Sequence, residues 1–265
     1  MSQNSADTAN DLNLLSDLVD KAKRAGADAA DAVLFESVSL EVSYRLGARE
    51  DLERSESKDL GLRIFFGKKQ AIVSSTDMTP ASLDELLERG LAMAAAMPED
   101  PYCGLADTDR LCTDIPDLDL NDPGEPTPEA LYEMAAEAET AALAVAGVSN
   151  SESAGAGWGR NRIALVTSNG FSGGYATSSH SLFASVIAGE GTGMERDYDY
   201  DSKVYLRDLI KPKDLGNNAA KLAVRKLNPK KTILTNLGVE FDYYKFKRSL
   251  PSSIIPAFDG LNFNF

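Results

Sequence analysis

Two tight turns constrain this chain more than any other feature. Ser168-Asn-Gly170 lies between two β-patterned runs, Arg162–Thr167 and Phe171–Thr177, and Asn-Gly is the strongest short hairpin signal. Gly67-Lys-Lys-Gln70 separates Leu60–Phe66 from a returning run that begins at Ala71-Ile-Val. A turn this short can join only antiparallel neighbours, because a parallel return needs a crossover of a dozen residues or more. The chain is therefore committed to antiparallel pairing in both halves.

Helical periodicity brackets these strands. Leu12, Leu15, Leu18, Val19 and Ala22 share one face of a helix over residues 11–25, with Asn10 or Asp11 placed to cap it and Gly26 to stop it. Residues 32–46 alternate and predict one or two half-buried strands. The charged stretch 47–59 reads as a solvated hairpin connection or an edge segment. Thr79-Pro80 opens a second helix that Pro98 closes, and Thr127-Pro128 opens a third that ends near Gly147. Leu182–Ala188 and Met194–Ser202 predict two further strands, and residues 213–227 a last helix with Leu215, Ala219, Leu222, Ala223 and Leu227 on one face. Helix, antiparallel strands, helix, linker, helix, antiparallel strands, helix is an α+β order, with helices packed on antiparallel sheets. The segments expected are an α+β unit over 1–105, a Pro- and Asp-rich linker over 106–128, a second α+β unit over 129–229, and a tail of different character over 230–265.

That tail marks a break in composition. It holds seven of the chain's 20 aromatic residues, among them Phe241, Tyr243, Tyr244 and Phe246, and its only alanine is Ala257. Elsewhere the balance is acidic. Lys plus Arg number 27 against 41 Asp plus Glu, a formal charge of −14. Such a surface repels phosphate backbones and anionic lipid, so neither nucleic acid nor a membrane is expected as a partner. The first residues, Met1-Ser-Gln-Asn, carry no signal-peptide pattern, and the expected location is the cytoplasm. Cys103 and Cys112 match no metal or redox spacing, and two reduced thiols are expected.

The chemistry-bearing residues are sparse. His180 is the sole histidine in the chain, so a two-histidine zinc motif cannot be built from it. Gly170-Phe-Ser-Gly-Gly174 matches the nucleophile-elbow pattern, but Ser172 lies between two strand patterns instead of before a helix. Gly155-Ala-Gly-Trp-Gly159 resembles a phosphate loop and lacks the helix that such a loop needs. Glu195, Asp197, Asp199 and Asp201 share one face of a strand, where oxygen ligands suit a cation or a basic peptide. The expectation there is a solvated acidic face with Tyr198 and Tyr200 turned inward. No catalytic, cofactor-binding or metal-ligating residue is assigned in this chain.

Four stretches together carry a resemblance to a known family. They are Asp59-Leu-Gly-Leu-Arg-Ile-Phe-Phe-Gly-Lys-Lys-Gln-Ala-Ile-Val-Ser-Ser-Thr-Asp77, Val166-Thr-Ser-Asn-Gly-Phe-Ser-Gly-Gly174, the run from Ser185 to Tyr200, and Ala219–Pro229. In this order and spacing the chain resembles the TldD/PmbA family, also called modulators of DNA gyrase, over about residues 10–230. The run Met194-Glu-Arg-Asp-Tyr-Asp-Tyr200 is similar to the PmbA (TldE) branch.

The resemblance implies the N-terminal region of a zinc metallopeptidase fold. The family's His-Glu-x-x-x-His helix belongs to a C-terminal domain, where zinc activates water. The PmbA branch lacks those ligands and pairs with a TldD-type subunit that carries the zinc; the pair encloses unfolded or leader peptides. This chain departs from the pattern after Lys231, where a different tail replaces the family's continuation. The expectation is a member truncated there, with a tail from a frameshift or rearrangement and no zinc of its own, inactive alone and dependent on a TldD-type partner. Because the metal motif lies outside the matched region, PmbA and TldD origins both stay open. The alternatives are a protein-binding adaptor acting on gyrase and a non-functional remnant.

Overall fold

The computed structural model describes residues 3–112, 114–227, 232–234 and 242–257. Its centre is a six-stranded antiparallel sheet built from β1 (Ala29–Arg45), β2 (Ala48–Phe66), β3 (Lys69–Ser75), β4 (Val148–Thr167), β5 (Ser172–Ala188) and β6 (Glu195–Lys203). The spatial order is β3-β2-β1-β4-β5-β6. The two sequence segments thus contribute three strands each to one sheet, joined where β1 pairs with β4 from Asp31↔Thr167 to Tyr44↔Ala154. The α+β class with antiparallel pairing and packed helices is as the sequence indicates.

All four long helices lie on one face of this sheet. They are α1 (Gln3–Arg24), α2 (Pro80–Ala96), α3 (Pro128–Leu143) and α4 (Pro212–Lys226). The even-numbered residues of β1, β2, β4 and β5 point toward them. Leu15, Leu18, Leu34, Leu62, Ile64, Leu86 and Val166 form one apolar cluster under α1 and α2. Leu40, Val42, Leu131, Trp158, Leu182, Leu215 and Ala219 form another under α3 and α4. Burial of one such leucine is worth about 2 kcal/mol. At Gly216 a side chain would collide with the Ala138 backbone, with Ala138 Cα 3.2 Å from the Cβ position, so α3 and α4 approach as closely as they do because a glycine stands there.

Several boundaries differ from the sequence reading. The first helix begins at Gln3, so neither Asn10 nor Asp11 caps it; Asp11 turns inward to meet a buried arginine. Residues 32–45 lie in a single strand, β1, and Leu46 belongs to the turn after it. Residues 48–59 are the edge segment: they pair with β1, and the hairpin turn is Leu46-Gly47 alone. The predicted runs 171–177 and 182–188 are joined in one strand, β5, which begins at Ser172. Cys103 and Cys112 are both free thiols. In the tail, β7 (Thr232–Leu234) pairs in parallel with β8 (Ile254–Pro256), and α5 (Tyr243–Ser249) lies between them in sequence. Phe241, Phe258, Phe263 and Phe265 lie outside the described residues.

The β1–β2 turn is held from the helical layer. Leu46 and Gly47 both take positive φ, 49° and 81°. Their N–H groups donate to Glu139 Oε1 and Oε2 at 2.8 and 3.0 Å. Glu139 is 2% exposed on α3, so its two oxygens are matched by two turn amides that would otherwise lack partners. Tyr132, two turns earlier along α3, donates its hydroxyl to Asp51 O at 2.8 Å. Replacing Glu139 with Ala removes two charge-assisted bonds, and the expected loss is about 2–4 kcal/mol. Urea unfolding of Glu139→Ala beside Glu139→Gln checks this, with the glutamine variant in between because it keeps one acceptor.

Candidate functional site: the polar seam and the helix-free face

The two apolar clusters are separated by a line of charged side chains that crosses the sheet. On the helix face, Lys58 of β2, Glu36 of β1 and Arg162 of β4 lie side by side, since Glu36 pairs in register with both of the others. Arg162 Nη2 donates to Glu36 Oε2 at 2.8 Å and to Asp11 Oδ2 of α1 at 2.9 Å. Lys58 Nζ reaches Asp11 Oδ1 at 3.0 Å. Asp11 is 6% exposed, so its charge depends on these cations. Asp11→Ala leaves Arg162 short of a counter-charge in a nearly dry site. The expected cost is on the order of 3 kcal/mol, measured as a fall in urea midpoint that Asp11→Asn shares in part.

The segment between α2 and α3 is a strap that closes this seam. It starts where Asp100 N–H donates to Lys68 O at 2.7 Å, beside the β2–β3 turn. Ala106 O accepts from Asn169 Nδ2 at 2.7 Å, beside the β4–β5 turn. Ser178 of β5 then fixes the strap by two bonds and ties it to the segment after β6 by a third. Its N–H donates to Leu120 O at 2.9 Å, its Oγ accepts from Asp122 N–H at 2.7 Å, and that Oγ donates to Val204 O at 3.0 Å. Glu125 crosses to Arg54 of β2, at 2.7 Å.

His180 sits beneath the strap. It is 1% exposed on β5, directly across from Trp158 of β4. Its Nε2 lies 3.3 Å from Asp122 Oδ2 without the alignment of a formed hydrogen bond, and neither ring nitrogen has a hydrogen-bond partner among the described residues. Burial pushes the imidazole below its ordinary value, against the opposing pull of Asp122. For Asp122, burial acts upward, but the Leu206 and Gly124 N–H groups and then His180 outweigh it and hold the carboxyl low.

The sign follows from these directions. The folded histidine binds its proton less readily than the unfolded one, so its contribution is present above about pH 6.5 and is lost as the pH falls through that value. The Asp122 contribution is lost in a separate window, below the ordinary carboxylate range. Urea midpoints measured from pH 7.5 to 5.5 should fall, and His180→Gln should flatten that slope.

The motifs read from sequence land as follows. Ser172 opens β5 after the turn, and no helix follows it. Ser172 and His180 lie on the same strand, roughly 26 Å apart at 3.3 Å per residue. The sites are not brought together. Gly155–Gly159 is the interior of β4. Trp158 faces the helices, while Gly155, Gly157 and Gly159 face the other way, where the Phe183 ring packs over Gly155.

The acidic strand reverses its expectation. Asp197, Asp199 and Asp201 of β6 pair with Val186, Ala184 and Leu182, which places them on the helix side. Asp197 meets Lys226 of α4 at 2.9 Å, and Asp201 accepts from Ile210 N–H at 3.0 Å. Tyr198 and Tyr200 point outward, 58% and 68% exposed, with rings stacked 6.3 Å apart. The cause is that Lys226 of α4 and the Ile210 N–H just before α4 face this edge strand, whereas among the described residues nothing apolar covers its other side. Among the described residues no His, Cys, Asp and Glu grouping could hold a metal ion.

Among the described residues, none of the four long helices lies on the opposite face of the sheet. Val33, Phe35, Ile72, Tyr175, Phe183, Tyr198 and Tyr200 stand on it, each more than a third exposed. Phe65 is the exception, lying against the Arg63 guanidinium at 5.0 Å. Two groups of exposed aromatics, Phe35 with Tyr175 and Phe183 with Tyr198 and Tyr200, mark this bare sheet as a surface that something else covers.

Comparison with known proteins decides the lineage. The PmbA/TldA metallopeptidase domain 1 matches residues 30–94, and the central domain of the same family matches residues 121–227. Metalloprotease PmbA of Escherichia coli O157:H7 is 33% identical over 206 residues, 77% of this chain and 46% of that protein. The chain belongs to the PmbA/TldD metallopeptidase family. A Metalloprotease PmbA homolog of Haemophilus influenzae is 33% identical over 84% of this chain and 49% of its own length. The chain thus spans about half the length of the curated relatives it matches. Among solved structures, a modulator of DNA gyrase from Bacteroides thetaiotaomicron superposes with a TM-score of 0.75 at 27% identity, over 83% of this chain and 51% of that one. TldE from Thermococcus kodakarensis shares the fold, with a TM-score of 0.67 at 15% identity, over 83% of this chain and 48% of that one. The PmbA/TldD match ends at residue 227, just before the composition break. No described helix is long and apolar enough to cross a membrane.

Sequence reasoning missed the seam. Its signal was present: the alternation over residues 32–46 changes phase between Phe35 and Val38, and Glu36 stands at the change. Asp122 and Glu139 gave no comparable sign.

Proposed function

We propose that this chain is the non-catalytic, PmbA/TldE-type part of a TldD/TldE-like zinc metallopeptidase complex that acts on unfolded or leader peptides. The observation that carries this reading is the 33% identity to Metalloprotease PmbA over 77% of this chain. His180 is enclosed between Trp158, the strap and Asp122, and a single buried imidazole cannot supply the two-histidine set that peptide hydrolysis by zinc requires. The metal then comes from a TldD-type partner, and the site of this action is cytoplasmic. The helix-free face is the docking surface in this reading, because it combines exposed aromatics with the small residues Gly155, Gly157, Ser179 and Ser181, which allow close approach.

Purification of this chain with and without a co-expressed TldD-type subunit tests the proposal. Expected is a heteromer whose peptidase activity is lost to a chelator, with the isolated chain silent and free of zinc. Chelator-sensitive cleavage by the isolated chain contradicts it. Replacing both Tyr198 and Tyr200 with Glu should weaken association by at least tenfold while leaving the urea midpoint unchanged, since both rings are exposed.

The adaptor reading draws on solved relatives described as modulators of DNA gyrase. It predicts capture of gyrase without any TldD-type protein in the same pull-down.

A further inference from the structure

The first half of β5 has an edge that β6 does not cover. The β5–β6 ladder begins at His180↔Lys203, so residues 172–179 extend beyond it. At Ser178 the outward N–H is taken by Leu120 of the strap. Antiparallel strands turn alternate residues toward alternate neighbours, so Gly174 and Ala176 present their N–H and C=O groups to that same outer edge. Beside this edge, between Ile115 packed on Gly173 and Leu120 bonded to Ser178, the strap and the sheet enclose a cavity of about 1090 Å³. Ile115, Leu118, Leu120, Ile163, Phe171 and Tyr175 line it. Leu118 is 66% exposed, and Tyr175 52%.

The charge beside the cavity is one-sided. From Glu99 to Glu125 the strap carries nine acidic residues and one basic residue, Arg110. An extended segment that pairs with Gly174 and Ala176 would drop alternate side chains into the apolar cavity, and its flanks would run along acidic side chains such as Asp117 and Asp119.

We propose that the β5 edge and the strap cavity form a binding site for an extended peptide segment with apolar residues at alternate positions and lysine or arginine beside them. The main chain pairs with Gly174 and Ala176, the cavity accepts the apolar side chains, and the acidic strap selects the flanking charge. This site is independent of the subunit reading, because it uses no metal and none of Gly155, Gly157, Ser179, Ser181, Tyr198 and Tyr200, although Tyr175 of its lining stands on the helix-free face.

The probe is a fluorescein-labelled peptide, KTVKVTLK, titrated against the full chain by anisotropy. Saturable binding is expected, together with slowed amide hydrogen exchange at residues 172–177. A peptide N-methylated at alternate amides should bind at least tenfold more weakly, because it cannot complete the ladder. Ala176→Pro, which removes an outward N–H without touching the β4 pairs, should do the same. Leu118→Gln, at an exposed position, should weaken binding severalfold while the fold is retained. Absence of binding at millimolar peptide overturns the proposal. So does binding that alternate N-methylation leaves unchanged, which would reduce it to charge attraction. The N-methylated peptide separates these outcomes even if the proline variant does not fold.

Discussion

The pairing of β1 with β4 is the constraint on which the rest of the structure depends. It joins strands more than a hundred residues apart in sequence, without a register shift from Asp31↔Thr167 to Tyr44↔Ala154. Since side chains alternate with a period of two, a slip by one residue would turn Leu34, Leu40 and Val42 outward and move Glu36 away from Arg162. The two apolar clusters and the charged seam between them fix the same register by different means. Apolar burial specifies it at both ends of the ladder, and the Asp11–Arg162–Glu36 contacts specify it in the middle.

One sheet with helices on one side has a functional consequence. Every long helix is used on the same face, so the other is left with Phe35, Phe183, Tyr198 and Tyr200 in solvent. The chain belongs to the PmbA/TldD metallopeptidase family, and within it this face is the one the proposed function assigns to a partner. The strap adds a second kind of surface. It seals the seam at Ser178 and Asp122 while leaving the start of β5 open.

Much of the fold was legible because the turns and caps are local. Asn169-Gly170, Gly67-Lys68, Thr79-Pro80 and Thr127-Pro128 each declare their structure within four residues. The joining of the two halves was not legible, since nothing local in β1 or β4 announces the other. Tyr198 and Tyr200 were misplaced for a related reason. Aromatic residues alternating with aspartates usually face a core, and only the position of α4 with its Lys226 makes the acidic side the inner one. Ser172 and His180 were correctly separated by the strand pattern, and the structure adds the distance. The seam left its trace in the phase change at Glu36, but its partners come from α1 and β4, which no periodicity connects.

Amide hydrogen exchange in increasing urea, read by fragment, tests the shared sheet most directly. If β1 and β4 hold one body together, the amides of residues 30–44 and 154–166 should open in a single step, at the same free energy, and that step should carry the α1 and α3 cores with it. Opening of residues 148–203 while residues 29–75 keep full protection would contradict the account, because the two halves would then be independent units that merely touch.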